Sequence, residues 1–474
     1  MSLGHAIAKN TIIHALGKII SLALGLLIIG ILTRYLGTEG YGYYTTIFAY
    51  LFFFTTLGDL GLYLVTVNNL GRAEVDQKKW LSNAFALRFV SVSVLMLLAV
   101  ALIWFFPYPF LVKIGVMITA LALIFGTTDQ MTVAFLQAKM STKYAALAEV
   151  VGKITILILV LLAIKLKFGF LVIMAGVAVG FFVHFLVDFL LARKIMKFGP
   201  AFDWSVWREI LQQSWPIATY MIFSMLYFKA DTIILSLYHS QTVVGLYGAP
   251  YKILEVLIAF PVIFMGLVSP LLARAWSEKN LIDFQRLYQR AFDFLSLVVW
   301  PLIFGTIVLA QPLMNFVAGR DFLPSAAVLP LIIIATGIIF WAHLSTFSVV
   351  AIGQQRPMMK YYILAAILAL ILYFVFIPQY SYWAAASVTV LVEFFILVAS
   401  WLMVKKNTHF KVSFKNNLKC LFASLIMALI LFLTNFGFGV KIVLGVLVYL
   451  AGLWLLGLFK EEKEFVAEFF NKKI

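Results

Sequence analysis

Five basic residues, Lys18, Arg88, Lys153, Lys229 and Lys252, lie inside long apolar runs of this sequence, with eight acids in similar places: Asp59, Asp129, Glu149, Asp188, Asp231, Glu255, Asp293 and Glu393. An ionised residue at the centre of a bilayer costs about 2.5–3.5 kcal/mol on insertion scales, so such groups turn toward a bundle interior or a wet cavity. There they can neutralise one another, meet an anionic substrate or hold a cation. Glu149 and Lys153 are four apart with the acid first, and Lys252 and Glu255 are three apart, which suits ion pairs within one helix or contact with substrate. In YFKADTIIL, residues 227–235, Lys229 and Asp231 are two apart and must face different sides of a helix, so each needs a partner elsewhere. Asp188 and Asp293 fall within a turn or so of a helix end, where a charge reaches water.

Other chemistries lack their residues. His14, His184, His239 and His343 are scattered singly, with no HExxH, no CxxC and no Walker A lysine motif. The single cysteine, Cys420, rules out an internal disulfide framework and a cysteine metal cage. No catalytic residue, metal site or nucleotide site is expected. The formal charge of +16 would suggest nucleic acid in a soluble protein, but no such partner is expected where basic loops have another cause.

That cause is membrane topology. Of 474 residues, 64% are hydrophobic and only 12% charged, about half the charged fraction of soluble domains. A spanning helix needs about 20 mostly apolar residues. Runs of that kind recur near residues 11–34, 42–67, 81–106, 110–136, 145–164, 168–192, 214–239, 244–272, 291–310, 327–352, 361–377, 382–404, 418–434 and 438–458. The first is longer than a signal-peptide core, has no small-residue cleavage site after it, and reads as a retained span. With about fourteen spans, one face collects 25 of the 36 Lys and Arg, the other 6, and 5 lie within spans. This bias puts both termini in the cytoplasm. The opposite loops are short, the longest being 311–326.

The chain also resembles itself. ILTRYLGTEGYGYYTTIF from Ile31 aligns with ILSLYHSQTVVGLYGAPYKI from Ile234, allowing a two-residue insertion. FLQAKMSTKYAALA from Phe135 pairs with AIGQQRPMMKYYILAA from Ala351. Both echoes are six spans apart, which predicts parallel six-helix repeats about an axis along the membrane normal. The expected organisation is an N-lobe at 1–192, a cytoplasmic interfacial linker at 193–213 with Trp204, Trp207 and Leu211 at helical spacing, a C-lobe at 214–404, two extra helices at 405–458, and an amphipathic tail at 459–474 carrying Phe465, Val466, Phe469 and Phe470. Lys18, Asp59, Arg88 and Asp129 fall about two turns from the cytoplasmic ends of spans 1–4, a charged layer, while Lys229, Asp231, Lys252 and Glu255 occupy the outer halves of spans 7 and 8. An anionic headgroup in a cleft between the lobes would meet cations at both levels. Pro250, Pro261 and Pro270 in span 8, Pro216 in span 7 and Pro301 in span 9 are sites of fixed bends or hinges.

LTRYLGTEGYGYY from Leu32, LGDLGL at 57–62, SWPIATYM at 214, KADTIIL at 229 and VVGLYGAPYK at 243 resemble the polysaccharide-biosynthesis flippases of the Wzx type, over the first twelve spans. The resemblance implies the fold of the multidrug/oligosaccharidyl-lipid/polysaccharide exporter superfamily: an all-α polytopic membrane protein with two six-helix lobes around a central cavity. It implies transfer of a polyprenyl-diphosphate-linked oligosaccharide across the cytoplasmic membrane by alternating access, for cell-surface polysaccharide biosynthesis, in a monomer without cofactor. Lys18, Arg88, Lys229 and Lys252 would then contact the diphosphate. Asp59, Asp129, Asp231 and Glu255 would balance those bases or bind a coupling cation, H+ or Na+, unless the membrane potential drives transport. Two alternatives stand beside it. A cation-coupled multidrug exporter on the same scaffold would favour an acidic or aromatic cavity, against which the five bases count. A membrane-embedded glycan polymerase or ligase would need a large outer loop with positioned acids and bases, whereas the largest one here carries only Arg320 and Asp321.

Overall fold

The computed structural model describes residues 3–72 and 74–458, and among them it is all-helical. The tail predicted to be amphipathic, with Phe465, Val466, Phe469 and Phe470, lies outside the described residues. Thirteen α-helices follow in order: α1 Leu3–Asp59, α2 Leu62–Leu70, α3 Gln77–Leu102, α4 Phe110–Ala138, α5 Thr142–Lys165, α6 Phe170–Ile195, α7 Trp204–Tyr238, α8 Gln241–Ser277, α9 Leu281–Ala318, α10 Leu329–Ala351, α11 Gln355–Thr408, α12 Lys415–Leu433 and α13 Phe438–Leu455. Eleven are long and apolar enough to cross a membrane. Exposed Leu, Ile, Val and Phe on them find their solvent in lipid.

Two helices are far too long for one crossing. At 1.5 Å per residue the 57 residues of α1 would reach about 85 Å, against about 30 Å of hydrocarbon. Each contains a single non-helical residue near its middle: Gly37 (φ 64°, ψ −174°) in α1 and Ser381 (φ 56°, ψ −140°) in α11. These breaks fall where the sequence places the turns between spans 1 and 2 and between spans 11 and 12. The predicted span at 42–67 is itself interrupted: Leu60 (φ 49°) and Gly61 (φ 75°) end α1 and start α2, so the LGDLGL segment is a break within the membrane-embedded run. Conversely, α9 continues to Ala318, and a 3-10 turn, Arg320–Ala326, takes up the rest of the predicted outer loop. The predicted interfacial segment from Trp204 is the first part of α7. Its Val206 and Ile210 are buried with α2, α3 and α4 side chains, and Trp207 and Leu211 pack against that cluster, leaving Trp204 exposed.

The chain divides into two compact units, Met1–Gly248 and Ala249–Ile474. In the first, α1, α3, α4, α5 and α6 pack on one another and α7 packs on α1, α2 and α3. Close approach is bought with glycine. A Cβ on Gly152 of α5 would come within 2.7 Å of the His184 Cβ on α6, and one on Gly17 of α1 within 2.6 Å of the Ala146 Cβ on α5. In the second unit α10 packs on α9 and α11, and α12 and α13 pack on α9 through Leu309, Cys420, Met427, Leu431, Tyr449 and Leu453.

Both sequence echoes have structural counterparts. The α4–α5 and α10–α11 turns close with the same helix-ending pattern: Ser141 N–H donates to Leu136 O (2.7 Å) and Gln354 N–H to Val349 O (2.9 Å), each after a left-handed residue, Met140 or Gly353. In the other echo, α1 just past its break crosses the start of α8, and the contact is reciprocal. A Cβ on Gly42 would land on the Gln241 carbonyl, and a Cβ on Gly245 on the Thr38 carbonyl. Gly42 and Gly245, like Thr38 and Gln241, are 203 residues apart, so the two copies align here without the insertion the sequence comparison allows. Thr46 Oγ1 donates to Gln241 Oε1 (2.7 Å) and secures the crossing.

Candidate functional site

The charges predicted inside the first unit are gathered by α4, α5 and α6. Asp59, at the end of α1, accepts from Arg88 Nη1 of α3 at 2.8 Å, and the Tyr63 backbone N–H also donates to it. The remaining guanidinium donors reach α4: Nε to the Thr127 carbonyl at 3.2 Å and Nη2 to Gln130 Oε1 at 2.9 Å. With 1% of its side chain exposed, Arg88 is fully engaged by protein in this conformation.

Glu149 of α5 pairs with α1. Lys18 Nζ donates to both its oxygens, at 3.0 and 3.1 Å, and Ser21 Oγ to Oε1 at 2.7 Å. The spacing-based partner, Lys153, also lies within electrostatic reach of Glu149, and Lys18 of the neighbouring helix joins it there. Gly17 explains this: without a side chain there, α1 comes close enough for Lys18 to span the gap.

The third group was not foreseen as a group. Asp129 of α4 meets His184 and Asp188 of α6. His184 Nε2 lies 3.5 Å from Asp129 Oδ2 and 3.8 Å from Asp188 Oδ2, and one donor atom from each of the three is within 4.8 Å of the others. Both aspartates are buried. Asp129 Oδ1 and both Asp188 oxygens have no hydrogen-bond donor. His184, which reads in the sequence as a lone packing histidine, and Asp188, which reads as a boundary acid, are four apart on one helical face; that spacing was the available signal.

Measured along their helices, these groups share a level. Asp129 is 9 residues from the end of α4, Glu149 is 7 from the start of α5, and Asp188 is 7 from the end of α6, or about 10–14 Å at 1.5 Å per residue. Of the predicted layer of Lys18, Asp59, Arg88 and Asp129, Arg88 joins Asp59 to Thr127 and Gln130 of α4, Lys18 pairs with Glu149 of α5, and Asp129 meets His184 of α6.

Lys229 and Asp231 face different ways, as their spacing requires. Asp231 is fully buried and accepts from Tyr247 Oη (2.6 Å), Thr232 N–H (2.6 Å) and Thr232 Oγ1 (3.1 Å). Half-buried Lys229 lies over the rings of Phe52 (6.0 Å) and Phe228 (5.7 Å). In the second unit, Lys252 and Glu255 of α8 form the predicted pair at 2.6 Å, with 41% of the lysine side chain exposed. Pro250, Pro261 and Pro270 all lie within α8, and Pro301 within α9.

Fold and composition define a multi-pass helical membrane protein, with its charges gathered between helices. The sequence matches the family described as polysaccharide biosynthesis protein over residues 7–276, and the chain belongs to that family. Among curated proteins none matches the sequence. Among solved structures, the lipid II flippase MurJ in an inward closed conformation is 19% identical, with a TM-score of 0.80 over 96% of this chain and 100% of that one. An inward-facing multidrug resistance transporter of the MATE family, in the MOP superfamily, is 12% identical, with a TM-score of 0.66 over 84% of this chain and 98% of that one. A MOP superfamily transporter from Pyrococcus furiosus, noted for the reverse polarity of its binding pocket, is 13% identical with a TM-score of 0.60, over 85% and 95%. These structural neighbours are a flippase and transporters. The fold is theirs.

Proposed function

We propose that this protein is an alternating-access flippase that carries a polyprenyl-diphosphate-linked oligosaccharide across the cytoplasmic membrane for cell-surface polysaccharide biosynthesis. Membership of the polysaccharide biosynthesis family over residues 7–276 is the observation that carries the reading. Fourteen crossings follow if α1 and α11 each count twice at their breaks and α7, at 35 residues, spans once; the basic-loop bias then sets both termini in the cytoplasm. The working unit is a monomer.

The diphosphate meets Lys18, Lys229 and Lys252, whose side chains keep partial exposure. Lys18 and Lys252 each hold a carboxylate that a phosphate can replace, so binding exchanges one charge-assisted bond for another. Arg88 serves the fold through Asp59 instead, and Glu255 balances Lys252. Asp231 remains as a carboxylate for a coupling cation, H+ or Na+, if transport is not driven by the membrane potential.

The test is flipping of a labelled polyprenyl-diphosphate glycan by purified protein in vesicles. Lys229→Ala combined with Lys252→Ala should slow it at least tenfold while melting unchanged. Unchanged flipping by that folded variant removes the proposed headgroup contacts, and no flipping by wild type of any such lipid removes the function.

A further inference from the structure

We propose that Asp129, His184 and Asp188 form a binding site for a divalent first-row metal ion that ties α4 to α6. The site is independent of the substrate assigned above and stands or falls by itself.

Two carboxylates that approach each other in a buried place cannot both stay ionised without a positive charge between them. Here both aspartates are buried, with 2% and 0% of the residue exposed; three of their four oxygens receive no N–H or hydroxyl donor, and the two carboxyls face each other closely enough to share a proton when no cation lies between them. The Asp188 side chain is aimed at the imidazole of its own helix and at Asp129 across the gap. The His184 contacts are long for hydrogen bonds, at 3.5 and 3.8 Å. The shorter matches ligands sharing an ion, since donors about 2.1 Å from a tetrahedral centre lie about 3.4 Å apart, and the longer needs the Asp188 carboxylate to move in by about 0.4 Å. Gly152 on α5 leaves the room that lets His184 stand against this pair.

The neighbouring charges narrow the choice of ion. On α1 and α5, Lys18 and Glu149 cancel each other. Lys153 on α5, within electrostatic reach of His184, adds one positive charge. Its presence means that charge alone does not choose between an alkali ion and a dication. The donor set does: sodium is bound by oxygen, whereas an imidazole nitrogen with carboxylates suits zinc, cobalt or manganese. Three protein donors leave a fourth position for water or for a ligand that moves with the transport cycle.

The experiment uses full-length, untagged protein in detergent, stripped with chelator and titrated with cobalt(II) alone. Saturable ligand-field absorption should appear at one equivalent and be displaced by zinc. His184→Gln and Asp188→Asn should each weaken binding about 100-fold, since loss of a direct ligand costs at least as much as loss of a supporting partner. His343→Gln, on α10, should bind as wild type. Melting temperatures taken without metal show whether each variant is folded, and the histidine variant keeps the test open if the aspartate variant is not. The proposal is overturned if cobalt does not bind, if both folded variants bind it unchanged, or if sodium or protons alone shift the wild-type melting temperature in an Asp188-dependent way while cobalt and zinc do not.

Discussion

The Arg88–Asp59 pair offers the sharpest test of which intramembrane charges hold the fold and which serve transport. Arg88→Met leaves Asp59 with a buried carboxylate whose charge only the Tyr63 N–H still meets. Asp59→Asn strands a guanidinium with 1% exposure between Thr127 and Gln130. Removing one partner of a buried pair costs about 3–5 kcal/mol, whereas replacing both with neutral groups of similar volume is often close to neutral. The double variant does lose the Arg88 bonds to Thr127 and Gln130, at about 1 kcal/mol each. Two independent sites would give a double variant about 6–10 kcal/mol less stable. A pair should give about 2 kcal/mol, hence a coupling energy of at least about 4 kcal/mol. Denaturant unfolding of the four proteins in one detergent measures this, and vesicle flipping runs beside it. The double variant should fold and flip lipid, because the charges cancel each other and not the substrate. Additive destabilisation would refute the pairing. A stable double variant that no longer binds or flips a diphosphate lipid would return Arg88 to the headgroup role expected from the sequence.

At the α1–α8 crossing, Gly42→Val or Gly245→Val should cost about 1–3 kcal/mol by overpacking and depopulate this conformation. A cysteine pair at positions 46 and 241, whose native side chains touch across this crossing (2.7 Å), in a Cys420→Ala background, should join readily through a short bifunctional reagent with Gly42 and Gly245 intact and poorly with Gly42→Val; equal cross-linking would mean the crossing tolerates the added bulk. Outside the membrane-spanning helices, Asp203 pairs with Lys79 (2.7 Å) and accepts from Ser205 N–H, which hold its carboxyl well below the usual range. A depressed folded-state value means this stabilisation is complete above the ordinary carboxylate value of about 3.9 and is lost as pH falls through the folded one. The melting-temperature gap between wild type and Asp203→Asn should therefore be constant from neutral pH to about 5 and close below about 4, and a gap that widened on acidification would contradict the pairing.

Most of the fold was legible in the sequence because the bilayer enforces a coarse code: any run of about 20 apolar residues must be a helix, since lipid cannot satisfy open backbone. The turns inside α1 and α11 were placed correctly even though helix continues almost through them, because polar punctuation such as LGTEG marks where hydrocarbon ends. The break at Leu60–Gly61 was not, since it lies within an apolar run and only DLG announces it. For the charges, spacing along one helix gave the Lys252–Glu255 pair but could not give partners on neighbouring helices. Partnership between helices depends on which helices touch, and glycines decide that: Gly17 brings Lys18 to Glu149, and Gly152 brings His184 to the aspartates.

The same reasoning explains the echo of the first twelve spans. A repeat drifts freely in sequence where its side chains face lipid, because many apolar residues serve equally well there. It is held where its two copies must meet. In the echo of Ile31 and Ile234 the matching segments touch: glycine in each copy receives a carbonyl from the other, Gly42 from Gln241 and Gly245 from Thr38. A contact related by such a pseudo-two-fold constrains the same position twice, so a side chain added to either glycine removes the approach for both helices. Internal similarity of the Ile31 and Ile234 kind therefore marks where equivalent helices cross, whereas that of the Phe135 and Ala351 kind marks a shared way of ending a helix.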